Sequence, residues 1–419
     1  MSDYLEISRR RFLARATLGA AAGTRVLGAN DRIQIGVIGV GGRGNLLIDQ
    51  LPKPGQLVAL ADCCLARCEE AVGKRSANWD IYQDYRRILD RKDIDAVIVA
   101  TEDHARVIPC IHACQAGKDV YAEKPLTLYP GEGSVLVRAA RKYKTVFQVG
   151  SQQRSMEMNQ IACRLVRSGG LGKVKLAQGI NYPDAVPIPD LAEEPTPQEL
   201  DWNVWQGQAR ARAYNKKLRF EWMRYQDYSG GETTNWGAHG IDQIQWALGM
   251  DGTGPVEFRP MEDLQGAVAF RYANGVEVHL DLPYPAKGVE EPLMGGGRFI
   301  GEKGSMDIWR NNFKIDAPGI DLELPPQEEI EKWHDKRALW QAEYHMGFWL
   351  GCIATREKPN ADVEIGHRSV SVCHLANIAR RLNRKIQWDP EKEEVVGDQE
   401  ANLLAVDRPR RKGWELPKL

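Results

Sequence analysis

The chain has 419 residues, a formal net charge of −1, and 43% hydrophobic against 27% charged residues. That length predicts two domains, and the balanced charge argues against a nucleic-acid binder, which carries a basic excess. No run of eighteen apolar residues is present, so no permanent membrane anchor is expected; the eight cysteines contain no Cys-x-x-Cys pair, which predicts free thiols and no metal site.

The chain opens on Ser8-Arg9-Arg10-Arg11-Phe12-Leu13, which resembles a twin-arginine export signal. A small-residue stretch follows, and Leu27-Gly28-Ala29 offers a cleavage site. Residues 1–29 are therefore expected to direct export to the periplasm, by a route that carries proteins already folded around a cofactor. The competing reading is a basic tail on a cytoplasmic protein.

Residues 32–39 read as a short buried strand running into Gly39-x-Gly41-x-x-Gly44, and residues 45–51 read as a helix. This strand–glycine loop–helix order predicts a dinucleotide site. Gly39 permits the tight turn, Gly41 and Gly42 with Arg43 leave the backbone open to the pyrophosphate, and Gly44 lets helix and strand pack closely. The helix N-terminus offers free N–H groups to phosphate. A second strand, residues 56–61, ends at Asp62, at the spacing of a carboxylate that binds the adenosine ribose. A carboxylate there repels a 2′-phosphate, so NAD is favoured over NADP.

Apolar strands at 95–101, 119–122 and 145–150 alternate with helical segments at 107–116 and 133–143. Such alternation predicts a doubly wound parallel sheet over residues 30–150. Ligands bind at the carboxyl ends of its strands, which places Thr101, Glu123, Lys124 and Ser151-Gln152 along one crevice.

Glu123-Lys124-Pro125-Leu126, together with the glycine loop, resembles the Gfo/Idh/MocA family. The likeness continues through Gly150-Ser151-Gln152-Gln153-Arg154-Ser155, through Asn235-Trp236-Gly237-Ala238-His239-Gly240-Ile241-Asp242, and through Ile365-Gly366-His367-Arg368-Ser369. It implies an α/β fold: a Rossmann domain followed, over 151–419, by an α+β domain with an open, mostly antiparallel sheet. The residues agree. Two alternating segments, 266–272 and 276–282, flank a hairpin signal at Ala273-Asn274-Gly275. Residues 298–301 and 305–309 add strands, 364–384 read as a helix packing back on the sheet, and the polar stretch 183–197 reads as an excursion near the cleft.

The resemblance also implies the chemistry. Lys124 would steady a developing alkoxide and hold the nicotinamide ribose, and His239 would be the general base. Asn235 stands four residues before His239, where the family usually has aspartate. On one helix it would orient the imidazole, and Asp242 would share that face. His104 is a cofactor contact by analogy, although the family's neighbouring proline and second histidine are replaced by Glu102 and Arg106. Arg154, Tyr182, Trp222 and Asp242 are candidate substrate contacts, with Arg224 and His345 weaker ones. The implied partner is a sugar, polyol or glycoside, taken by a homo-oligomer. Three activities compete: a dehydrogenase, an NAD-dependent glycoside hydrolase with a tyrosine such as Tyr182 as elimination base, and a non-catalytic NAD sensor.

Overall fold

A computed structural model describes residues 32–285, 293–320, 322, 324–333, 342–406 and 408–419. The segment read as an export signal lies outside the described residues. Among those described, no helix is long and apolar enough to cross a membrane, and no cluster of side chains could hold a metal ion. All eight cysteines are free thiols, and Cys110 and Cys114 pack fully buried on their helix.

The first sheet comprises β1 (Ile33–Ile38), β2 (Gly55–Ala61), β3 (Asp80–Tyr82), β4 (Ala96–Val99), β5 (Asp119–Ala122) and β6 (Phe147–Val149). Its order is β3-β2-β1-β4-β5-β6, with every pairing parallel. The central strands are apolar at nearly every position because both faces are covered: Val37, Val97, Ile98 and Val99 are wholly buried. The strand order reverses between β1 and β4, which opens the ligand crevice at their carboxyl ends.

The second sheet comprises β7 (Val174–Ile180), β8 (Glu257–Pro260), β9 (Val268–Arg271), β10 (Glu277–Leu282), β11 (Gly297–Gly301), β12 (Gly304–Trp309), β13 (Asn312–Asp316), β14 (Ile386–Asp389) and β15 (Glu394–Val396). Its order is β13-β12-β11-β7-β10-β9-β8-β14-β15. Only β7 and β10 run parallel among these described pairs, so the sheet is mostly antiparallel as expected. Phe258, Phe270, Val278, Phe299 and Met306 point to one face, where the helices Glu157–Arg167, Gly237–Ala247 and Val363–Leu382 bury them. The 266–282 hairpin forms as read, turning at Gly275 with φ +87°.

Two features tie the sheets together. The helix Glu343–Thr355, late in the chain, packs Met346, Trp349 and Leu350 into the core of the first sheet. The helix Val363–Leu382 places Val363 and Val370 against the first sheet and Val372, Leu375 and Ala376 against the second. The break near residue 150 is thus sharper in sequence than in space.

Between β7 and the helix Gly237–Ala247 the chain makes an excursion with its own aromatic core of Trp202, Trp205, Tyr214, Tyr225 and Tyr228. It is stitched to the first domain directly beyond Asp62. Leu200 bridges Cys64, Asp201 N donates to Cys63 O at 2.8 Å, and Leu65 N donates to Glu199 O at 3.2 Å. Residues 183–197 are the irregular, surface part of this unit.

Candidate active site

The glycine loop divides into packed and open positions. Gly39 has φ +90°, and a Cβ there would lie 2.7 Å from the Ala100 carbonyl carbon. A Cβ on Gly44 would lie 2.1 Å from Gly39 O. These two glycines serve the turn and the helix–strand approach. Gly41 and Gly42 are different. A Cβ on Gly41 would meet only Arg67 Nη1, at 3.8 Å, and one on Gly42 would meet nothing within 4 Å. The loop is open where a pyrophosphate belongs.

Asp62 ends β2 as expected. Its Oδ2 accepts from Val40 N at 2.8 Å and its Oδ1 from Cys64 N at 2.9 Å. Each oxygen keeps lone-pair capacity for a ribose hydroxyl. Burial raises the Asp62 carboxyl, and the Arg67 guanidinium, 3.7 Å away, opposes the rise. Arg67 also faces Glu102 at 3.9 Å. It was not singled out in the sequence, because nothing in a helical arginine shows that it folds back over the loop. Among the described residues, Thr101 Oγ1 is buried without a hydrogen-bond partner at the mouth of β4. These donors and acceptors fit a dinucleotide. Gly39, Gly41, Gly42, Gly44, Asp62 and Thr101 would hold its adenosine and phosphates.

Arg43, Glu123 and Gln152 meet as one unit. Arg43 Nε lies 2.8 Å from Glu123 Oε1, and its Nη2 donates to Gln152 Oε1 at 3.3 Å. Gly150 makes room for this: a Cβ there would sit 2.8 Å from Glu123 Oε1. Lys124 follows on a cis Lys124–Pro125 bond. Its Nζ donates to Asn235 Oδ1 at 2.8 Å and to Asn235 O at 3.2 Å, so the two domains touch at the ammonium. Burial lowers Lys124 to about 8, and the nearby Glu123 and Asp103 carboxylates limit the fall.

This geometry corrects the role expected for Asn235. Asn235 ends a short helix, Glu232–Asn235, and the helix carrying His239 starts afresh at Gly237. The asparagine amide faces Lys124 through Oδ1 and Glu232 Oε2 through Nδ2, at 3.1 Å, instead of orienting the imidazole. A consequence can be measured. Asn235→Asp sets a carboxylate on the Lys124 ammonium, and should raise the alkaline limb of the pH–rate profile by about one pH unit. An unmoved limb would show that position 235 does not tune Lys124.

His239 is 6% exposed, and its imidazole makes no hydrogen bond among the described residues. The edge of the Trp236 ring approaches it, with centroids 6.1 Å apart. Burial, then the charges of Lys124, Arg310 and Arg43, hold its pKa well below the usual histidine range. The ring is neutral at pH 7, with a lone pair ready to take a proton. Its surroundings were partly missed in the sequence. Gly295, with φ +67°, would bring a Cβ within 3.2 Å of His239 Cβ, and Gln153 Nε2 donates to Gly295 O at 2.8 Å. The run Gly295-Gly296-Gly297 was the available signal. A Cβ on Gly240 would lie 2.7 Å from Gly296 O, so this loop presses on the helix backbone itself.

Arg154 and Asp242, both read as substrate contacts, hold each other instead. Arg154 donates to both Asp242 oxygens, at 2.8 and 2.9 Å, and also meets Asp251 at 2.7 Å. Ser369 Oγ completes the set on Asp242 at 2.7 Å. With both side chains buried, the pair clamps residues 152–155 to the His239 helix and to the C-terminal helix, and Asp242 cannot serve the imidazole. Arg154→Met leaves the Asp242 carboxylate buried without its main partner. It should cost about 3–5 kcal/mol and lower the melting temperature by roughly 10 °C; a melt within a degree of wild type would remove the clamp from the account.

The remaining candidates are structural. His104 is 1% exposed, held between the Trp205 and Tyr228 rings with Nε2 2.7 Å from Trp205 O, so it seats the excursion and does not face the crevice. Tyr182 is 3% exposed and accepts from Gly295 N at 3.2 Å; burial pushes its phenol up, which suits it to packing and not to removing protons. Trp222 packs on the excursion core, and Arg224 pairs with Glu221 at the surface. His345 is tied to Val149 O and Ser155 Oγ beneath β6.

Comparisons with known proteins agree with this architecture. Residues 33–151 match the family model described as an oxidoreductase family, NAD-binding Rossmann fold, and residues 174–416 match its C-terminal alpha/beta domain. Inositol 2-dehydrogenase of Salmonella typhimurium is 26% identical over 172 residues, 40% of this chain and 50% of that protein. An inositol 2-dehydrogenase/D-chiro-inositol 3-dehydrogenase of Lacticaseibacillus casei is 32% identical over 126 residues, 29% of this chain and 36% of that protein. The chain thus spans half or less of the length of these curated relatives. Among solved structures, the WlbA dehydrogenase of Bordetella pertussis, in complex with NADH and UDP-GlcNAcA, aligns with a TM-score of 0.61 at 18% identity, over 85% of this chain and 98% of that one. Aldose-aldose oxidoreductase of Caulobacter crescentus aligns with a TM-score of 0.59 at 17% identity, over 85% and 99%. With both domains matched in order, the chain belongs to the Gfo/Idh/MocA family of oxidoreductases, and its first domain is that family's NAD-binding Rossmann fold.

Proposed function

We propose that this protein oxidises a secondary hydroxyl of a sugar, polyol or glycoside, with NAD as hydride acceptor. One observation carries the reading: half-buried Lys124 from the first domain and buried His239 from the second lie close enough that the lysine charge depresses the ionisation of the imidazole. When bound, the nicotinamide supplies the hydride chemistry. Neutral His239 accepts the hydroxyl proton. The Lys124 ammonium, held by Asn235, steadies the alkoxide oxygen as its charge develops. Arg43 and Glu123 fix the end of β5 so that Lys124 faces the second domain. Asp62, at the ribose end, disfavours a 2′-phosphate. The names of the relatives, which act on inositols and aldoses, support a sugar-like substrate, and residues 1–29 are proposed to export the folded protein.

The test is purified protein with NAD and a panel of polyols, aldoses and aryl glycosides. Net NADH formation is the expected result. Aglycone release without NADH would replace this reading with redox-assisted hydrolysis, and neither signal, with NAD still bound, would reduce the protein to a sensor.

A further inference from the structure

We propose that Glu102 is a second cofactor-selecting carboxylate: it keeps the Arg67 guanidinium from receiving a 2′-phosphate, so that the protein takes NAD and refuses NADP. Arg67 lies in the first turn of the helix Leu65–Arg75, shortly after Asp62. Side chains lean toward the N-terminus of their helix, and that lean carries Arg67 back over the glycine loop. Its Nη1 lies 3.7 Å from Asp62 Oδ2, and 3.8 Å from where a Cβ on Gly41 would stand. An arginine in this place points to NADP, because a guanidinium beside the ribose accommodates the 2′-phosphate. Asp62 points to NAD. The two residues give opposite answers.

Glu102 decides between them. It follows β4 and caps the short 3₁₀ turn Asp103–Ala105, and its Oε1 faces Arg67 Nη1 at 3.9 Å. Arg67 is thus shared between two carboxylates. Burial alone would lower its pKa, but Asp62 and Glu102 raise it. Burial raises Asp62, and after the opposing pull of Arg67 the charge of Glu102 adds to that rise, so all three groups act on one another. Asp62 and Arg67 alone would balance; with Glu102 the corner is net negative. A 2′-phosphate would bring further negative charge and compete with both carboxylates for one guanidinium. The place of Glu102 is set from the excursion. Trp205 Nε1 donates to Glu102 Oε1 at 3.2 Å. The indole is 2% exposed and stacked on Trp202, with centroids 4.5 Å apart, and the Trp205 carbonyl oxygen lies 2.7 Å from His104 Nε2. Trp205 is therefore the positioning residue for Glu102.

The test is binding of NADH and of NADPH to the full chain, followed by nucleotide fluorescence with no substrate present, so its outcome does not depend on the oxidation proposed above. Wild type should bind NADH at least about 100-fold more tightly than NADPH. Glu102→Gln should cut that ratio to about tenfold, through tighter NADPH binding. Adding Arg67→Met should restore most of the ratio, because the freed guanidinium is what receives the phosphate. Trp205→Phe keeps a ring in the stack, removes the N–H, and should give part of the Glu102→Gln shift. Glu102→Asp keeps the charge and should stay within about threefold of the wild-type ratio. Melting curves of the nucleotide-free proteins show that each variant folds. The inference is overturned by a wild type that takes NADPH as readily as NADH, by a ratio that Glu102→Gln leaves unchanged, or by a double variant as permissive as the single one. A folded Glu102→Gln protein that binds neither nucleotide would make Glu102 part of the site's framework and overturn it as well. An unmoved ratio in Trp205→Phe would overturn the positioning by the excursion. If wild type binds neither nucleotide, this inference and the oxidoreductase reading fall together.

Discussion

Lys124→Met is expected to lower kcat/KM by about three orders of magnitude while the protein still folds and binds NADH. The size follows from the position. The ammonium is half-buried, is held by two oxygens of Asn235 from the opposite domain, and faces the site where negative charge would form on the substrate. Methionine keeps the stem and removes the charge. The pH profile gives a second readout. Burial lowers Lys124 to about 8, so the useful cation is present below that value and is lost as pH rises through it. Wild-type kcat/KM should therefore fall above about pH 8, and the variant should show no such limb. A Lys124→Met enzyme within about tenfold of wild type would remove the lysine from the mechanism.

His239→Gln should cost about 10²–10⁴ in kcat, the range expected when a positioned general base is lost. Here the sign runs the other way. Burial and three neighbouring cations hold the imidazole well below its usual pKa, so it stays neutral throughout the neutral range and is lost as a base only when pH falls well below 6.5. Wild-type kcat/KM should stay level through the pH range where an ordinary histidine would titrate. The limb that eventually appears in acid should be absent from the variant. An acid limb that survives in His239→Gln would place the base elsewhere.

The glycine loop, the carboxylate ending β2 and the Glu123-Lys124-Pro125 turn were legible because each depends on local backbone geometry. A tight turn, a helix N-terminus and a strand end are set by residues adjacent in sequence. Asn235 was placed at the site but given the wrong partner. The backbone stays right-handed helical through Trp236, yet the amide is taken by Lys124 from the other domain. His104 had a family position without the family's neighbours, and the excursion's tryptophan and tyrosine took it into their core. Arg154 and Asp242 looked like polar groups awaiting a ligand, yet each found the other across 88 residues of chain.

The sequence by itself determined two domains, the dinucleotide loop and the alternation that builds each sheet, while the pairing of Lys124 with His239 came only from the family resemblance. The loop and the sheets follow from periodicity and turn chemistry, which act over a few residues. Only the tertiary structure decided which polar groups face one another: Arg67 over the loop, Asn235 on Lys124, and Arg154 locked to Asp242. Electrostatic energy depends on distance and burial in three dimensions, and neither is encoded in the spacing of residues along the chain.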